Sequence, residues 1–157
     1  MSQDFVIRCA TLEDEQAIGE LTMRSLYSYG YDETFHELME HFRKTNLPAA
    51  EYIRKSPVYV GEIDGKIKGY YGLKIPEDKD FIDLEYIFLD VDCFGKGYGT
   101  KLWLHAVDEA RKLGFNKMQI HSDPGAVGFY EAMGAEREKD VEVYPNFKLT
   151  VFWFDLI

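Results

Sequence analysis

Three glycines separated by single residues, Gly95, Gly97 and Gly99, follow closely on an apolar segment that carries two acids, Asp83 and Glu85, at alternate positions. Glycines at that spacing strip the side chains from a short run of backbone, so consecutive N–H groups can approach one ligand and turn toward it. From Thr100 on, Leu102, Ala106, Ala110 and Leu113 recur at helical spacing, Arg111 and Lys112 occupy the last turn, and Gly114 stops the helix. Free N–H groups leading into a helix N-terminus form an anion site, and phosphate is its natural occupant. The two acids lie on one face of the preceding strand, where either could accept a proton.

Spacing excludes two familiar glycine loops. A phosphate-binding P-loop needs Gly-Lys-Ser/Thr four spacer residues after its first glycine, and the segment lacks it. The dinucleotide fingerprint needs a third glycine three positions beyond its second, where position 102 is Leu102.

What remains is Gly-Lys-Gly-Tyr-Gly behind a strand ending near Asp90. It resembles the pyrophosphate-binding motif of the GNAT family of acetyl-CoA-dependent N-acetyltransferases, Gln/Arg-x-x-Gly-x-Gly/Ala at the start of a helix. Gly97 and Gly99 fall on its glycines, Phe94 stands where Gln or Arg is usual, and Val91 where a proline is common. A second stretch, Asp123-x-x-Ala126-x-x-Phe129-Tyr130-Glu131-x-x-Gly134, is similar to the family's Asn-x-x-Ala-x-x-Phe-Tyr-Glu-x-x-Gly-Phe, with Asp123 in place of Asn and Ala135 in place of the last aromatic. The motifs are independent and occur in the family's order.

The resemblance implies an α/β (α+β) fold, a mixed and bent sheet flanked by helices in a single domain over residues 1–157, with acetyl-CoA as co-substrate. Acetyl transfer to an amine requires a held donor, an unprotonated amine, stabilisation of the carbonyl oxygen and a proton for the departing thiolate. In the resemblance, the N–H groups of Gly95, Lys96, Gly97, Tyr98, Gly99 and Thr100 hold the pyrophosphate and the Lys96 ammonium adds charge. Backbone groups of Ile87, Phe88 and Leu89 bond the pantetheine arm and the acetyl carbonyl, where β-strands splay apart. Asp123 caps the helix of the second motif, and Tyr130 matches the tyrosine that commonly protonates the coenzyme A thiolate; packing against the pantetheine is its other reading. Asp83 stands where many relatives carry a glutamate. Either Asp83 or Glu85 could be the base, directly or through a water, with Glu85 nearer the expected thioester; a solvated strand face, or ion pairs with Lys68 or Lys74, would serve equally as their role.

The elements that must position these groups follow from the pattern. Phe5–Ala10 reads as a strand, and Thr11 with Asp14 as a capping box before a helix buried along Ala17, Ile18, Leu21 and Leu26. Tyr27, Tyr29 and Tyr31 form an aromatic link that either packs beneath a loop or walls an acceptor pocket. Asp32 can cap a second helix with Phe35, Leu38, Met39 and Phe42 inward, ending before Pro48. Residues 58–63 and 66–75 flank Asp64-Gly65, a hairpin signal, and the strand over 81–90 follows antiparallel. Lys117–His121 lies parallel to that strand across the helical crossover. Asp123-Pro124 opens a helix ended by Gly134, and Val141–Phe154 makes two strands around Pro145-Asn146. The order is β-α-α-β-β-β-α-β-α-β-β.

Composition bounds the rest. At 157 residues, with 46% hydrophobic residues, the chain can build one core of ordinary size. A net charge of −10 argues against nucleic acid and anionic membrane surfaces and tilts the acceptor toward a small cationic amine or a basic peptide. Cys9 and Cys93 make no disulfide framework, and His36, His41, His105 and His121 show no metal-ligand spacing, so no metal is expected. No leader and no apolar run of about 18 residues is apparent, so the expected location is the cytoplasm. The aromatic strand Val151–Phe154 could pair two copies across a two-fold axis. The expected activity is N-acetylation of a primary amine by direct attack in a ternary complex, without a cysteine intermediate. A non-catalytic acyl-CoA-binding module of the same fold and a different nucleotide binder are the rivals; the first would bind acetyl-CoA without consuming it, and the second would ignore it.

Overall fold

A computed structural model of the chain describes residues 4–31, 35–45, 48, 50–78 and 80–157; the expected cap Asp32 and the side chain of Phe42 lie outside the described residues. In chain order the elements are β1 (Val6–Cys9), α1 (Glu15–Ser28), α2 (His36–Thr45), α3 (Ala50–Lys55), β2 (Val58–Ile63), β3 (Lys66–Lys74), β4 (Ile82–Leu89), α4 (Tyr98–Lys112), β5 (Lys117–Ser122), α5 (Val127–Ala132), β6 (Glu136–Tyr144) and β7 (Phe147–Asp155). The strands form a seven-stranded, mostly antiparallel sheet in the order β1-β2-β3-β4-β5-β7-β6, flanked by helices, so the class is mixed α+β. Helix α3 is absent from the sequence expectation. It has six residues and a single buried side chain, Ile53, too little to register a helical period.

The chain divides into two compact units, Met1–Gly72 with Tyr86–Leu102 and Leu73–Glu85 with Trp103–Ile157. In the first, β1 and β3 flank β2 antiparallel, and Asp64 (φ 52°) and Gly65 (φ 77°) make the left-handed two-residue turn that the β2–β3 hairpin requires. The expected capping box forms, with the Asp14 carboxylate accepting from the Thr11 N–H at 2.8 Å. Ile18 and Leu21 of α1 pack with Ile53, Val58, Val60 and Tyr70 as the buried core, each full burial stabilising by roughly 1.5–3 kcal/mol. A polar junction against this core is satisfied internally: the Thr22 hydroxyl meets the Tyr70 phenol at 2.6 Å and lies 2.8 Å from the Ile18 carbonyl.

In the second unit, β4 pairs parallel with β5 in the register Ile82↔Met118, Asp83↔Gln119 and Leu84↔Ile120, as a helical crossover demands. Trp103 of α4 is buried edge-on against Phe129 and Phe154 and lies 6.0 Å from the Tyr130 ring. Helix α4 is closed just past its end by Gly114 (φ 91°), whose N–H reaches the Arg111 carbonyl at 2.9 Å while that of Phe115 reaches the Ala110 carbonyl at 3.3 Å. Strand β6 begins at Glu136, five residues before the expected Val141, because its exposed first half is charged and carries no apolar alternation. Such charge marks an edge strand. Strand β7 lies between β5 and β6 with both backbone edges filled, which corrects the expectation that Val151–Phe154 could pair two copies across a two-fold axis.

Candidate active site

The first unit holds Ile87 to Thr100. Strand β4 stops at Leu89, and the Asp90 carboxylate accepts from the Val91 N–H at 2.9 Å, capping a 3-10 turn over Val91–Cys93. Asp90 is 7% exposed, and its oxygens are gripped by both arms of the Arg24 guanidinium, Nε at 3.1 Å and Nη2 at 2.9 Å. Its backbone N–H bonds the Lys68 carbonyl of β3 at 2.8 Å, and the Lys68 ammonium bonds Asp92 at 2.9 Å. Lys68 is thus taken by Asp92, not by Asp83 or Glu85 as the ion-pair reading allowed.

The chain then turns through Gly95 (φ 75°) and Gly97 (φ 83°), two left-handed positions that only glycine adopts at little cost. A Cβ at either would meet nothing within 4 Å beyond its chain neighbours, so the space off both glycines is open. Helix α4 starts at Tyr98, two residues ahead of the expected Thr100, and its first intrahelical bond runs from the Lys101 N–H to the Gly97 carbonyl at 3.3 Å. The N–H groups of Tyr98, Gly99 and Thr100 therefore precede the helical ladder. Lys96 is exposed beside them. The Tyr98 ring turns away to stack on Phe5 at 4.8 Å, so its expected part in binding rests on its backbone.

Upstream, the Phe88 ring stacks on Tyr70 at 5.8 Å, and Ile87 and Leu89 are half-buried. The aromatic link is divided. Tyr31 is buried, Tyr29 lies 6.5 Å from the Phe94 ring, and Tyr27 sits under the Arg43 guanidinium with its phenol oxygen buried and without a hydrogen bond. Cys93 is buried, and burial together with Asp92 pushes its thiol up to about 11, which makes it a poor nucleophile.

Asp83, Glu85, Asp123 and Tyr130 belong to the second unit. Asp83 is half-buried and its Oδ1 is buried with no hydrogen-bond partner. Burial pushes its carboxyl above the ordinary range; the Glu85 charge adds to the rise, while His121 and Lys74 pull the other way. Glu85 is exposed. The Asp123 carboxylate accepts from the Gly125 N–H at 2.9 Å, so the expected cap forms, on a short 3-10 turn over Pro124–Ala126 that precedes α5. Tyr130 is buried among Trp103, Phe129 at 5.3 Å and Phe152 at 5.7 Å. Among the described residues no cluster of His, Cys, Asp and Glu could hold a metal.

Sequence reasoning missed Arg24 and the Asp90–Lys68–Asp92 cluster. An acid directly after an apolar strand was the available signal for Asp90; its partner lies 66 positions away and leaves no local pattern.

Residues 13–135 match the model of the acetyltransferase (GNAT) family. The chain is 30% identical to "Probable N-acetyltransferase camello" of Xenopus tropicalis over 75% of its own length and 57% of that relative's, so it spans little more than half of it. It is 26% identical to "Uncharacterized N-acetyltransferase YjgM" of Escherichia coli (strain K12) over 85% of this chain and 83% of the relative. Its fold superposes on the PaiA N-acetyltransferase of Thermoplasma acidophilum, solved in complex with coenzyme A, with a TM-score of 0.82 and 18% identity over 97% of this chain and 99% of that one.

Proposed function

The chain belongs to the GNAT family of N-acetyltransferases, and we propose that it acts as one domain that moves the acetyl group of acetyl-CoA to a primary amine by direct attack in a ternary complex. The observation that carries this reading is the open turn at Gly95 and Gly97 feeding the free N–H groups of the first turn of α4. That surface suits a diphosphate, and Lys96 adds a cation to it.

In this reading the loop N–H groups of Gly95 to Thr100 hold the pyrophosphate, and backbone groups of Ile87, Phe88 and Leu89 hold the pantetheine arm and orient the thioester carbonyl. Asp123 acts through its cap, ordering the turn that leads to Tyr130. The amine nitrogen attacks the thioester carbon, the C–S bond breaks, and the amine's proton passes to a carboxylate. Asp83 is favoured over Glu85 for that proton, because it is half-buried with an orphaned carboxylate oxygen, and burial raises its carboxyl above the ordinary range, which suits a proton acceptor. The Tyr130 phenol gives a proton to the departing thiolate. The excess of acid groups favours a small cationic amine or a basic peptide as acceptor.

Free-thiol release from acetyl-CoA, measured with a panel of polyamines, aminoglycosides, amino acids and basic peptides, tests the reading. Acceptor-dependent release that falls in Tyr130→Phe is expected. Binding of acetyl-CoA with no release above background for any amine would overturn the transferase reading.

A further inference from the structure

The segment that leads from β4 into the glycine turn is held at both ends by α1. At its start, the Arg24 guanidinium grips Asp90 with both arms, at 2.9 and 3.1 Å. At its end, Phe94 lies against Tyr29, the residue that follows the last turn of α1, with ring centres 6.5 Å apart and planes inclined by 19°. Asp90 and Phe94 bracket the 3-10 turn over Val91–Cys93, and the Lys68–Asp92 bond ties its middle to β3. Nothing in the acetyl-transfer chemistry uses Arg24 or Tyr29.

Two physical needs make these contacts more than packing. A turn with two left-handed glycines loses more conformational freedom on ordering than any other backbone, so N–H groups aimed at one anion need fixed flanks. In addition, the Asp90 carboxylate lies five residues before Gly95 in a segment meant to receive a diphosphate, and Arg24 at 2.9 Å, with the Lys68 ammonium farther off at 3.9 Å, offsets its charge. Phe94 stands where the family pattern usually has Gln or Arg, and its ring spends itself on Tyr29 instead of offering a polar contact.

We propose that Arg24 and Tyr29 are positioning residues that hold the phosphate loop from α1, so that order at the loop comes from the helix rather than from a polar side chain at position 94. This rests on the reading of the loop as the acetyl-CoA site. Neither residue needs to touch the co-substrate for this role. Arg24 acts through Asp90, and Tyr29 through Phe94.

Calorimetric titration with coenzyme A, on variants first confirmed folded by circular dichroism, tests the clamp. Arg24→Gln is expected to weaken binding about tenfold, with turnover at saturating acetyl-CoA close to that of the native chain. Adding Asp90→Asn to Arg24→Gln removes the charge that Arg24 had offset but does not restore the grip, so it should recover only part of the lost affinity. Tyr29→Leu should weaken binding a few-fold. If Arg24→Gln does not fold, Arg24→Lys, which keeps the charge but loses the fork, carries the same test with a smaller expected loss. Binding by the folded Arg24 variant within twofold of native, or full recovery of affinity in the double variant, would overturn the proposal. If the native chain itself does not bind coenzyme A, the reading of the loop fails and this proposal fails with it.

Discussion

The Leu89 side chain fills the space that Gly69 leaves empty: a Cβ on Gly69 would lie 2.8 Å from Leu89 Cδ2, 3.0 Å from Leu102 Cδ1 and 3.2 Å from the Phe88 carbonyl oxygen. The end of β4 and the first turns of α4 are therefore seated on one bare spot of β3, with the glycine turn between them. Gly69→Ala forces the Leu89 side chain to shift and presses on the Leu102 side chain and the Phe88 carbonyl. It is expected to destabilise by about 1–3 kcal/mol, read as a lower thermal midpoint, and to weaken coenzyme A binding. Native stability in Gly69→Ala would show that the seat is looser than the contacts imply.

Gly97 has φ 83° in open space, so the cost of Gly97→Ala is conformational and not steric. Forcing alanine into the left-handed region costs about 1–2 kcal/mol, and the turn would relax toward another geometry. Coenzyme A affinity should fall about tenfold with the thermal midpoint of the free protein moving by only a few degrees. Unchanged affinity would remove Gly97 from the anion site.

The turn and its flanks were legible in the sequence to different depths. The Asp64-Gly65 hairpin and the Asp123 cap are local chemistry, and each formed as expected. Long-range pairing left no such trace. Arg24 meets Asp90 across 66 positions, α3 is too short to show a period, and the exposed start of β6 looks like any charged loop. In the sequence the carboxylates of Asp83 and Glu85 differ in their place along the strand, which put Glu85 nearer the expected thioester; burial separates them further, and burial is a property of the fold.

Asp83 should trade stability for function. Its carboxyl is pushed up in the folded chain, above the ordinary 3.8, chiefly by burial. Below the ordinary range both states are protonated and there is no penalty. As pH rises from there through the raised value, the unfolded chain loses its proton first, and the folded state is penalised. Asp83→Asn removes that penalty, so its stability relative to the native chain should improve from acid to neutral pH, while thiol release drops. A stability difference that does not vary with pH, measured by denaturant titration, would contradict the environment assigned to Asp83.

Cys93 should be a bystander. With its thiol pushed up to about 11, only about one molecule in ten thousand carries the thiolate at neutral pH. Cys93→Ala should keep its turnover, and a thiol reagent should label the exposed Cys9 first. Loss of acetyl transfer in a folded Cys93→Ala would revive a cysteine intermediate.

The most direct test follows both products of one reaction. Native chain, acetyl-CoA and the best amine of the panel are incubated together, and free thiol and acetylated amine are counted by absorbance and by mass spectrometry. Direct transfer predicts one acetylated amine for each thiol released, with no acetyl group left on the protein. Thiol released without an acetylated amine, or an acetyl group retained on the chain, would contradict the account.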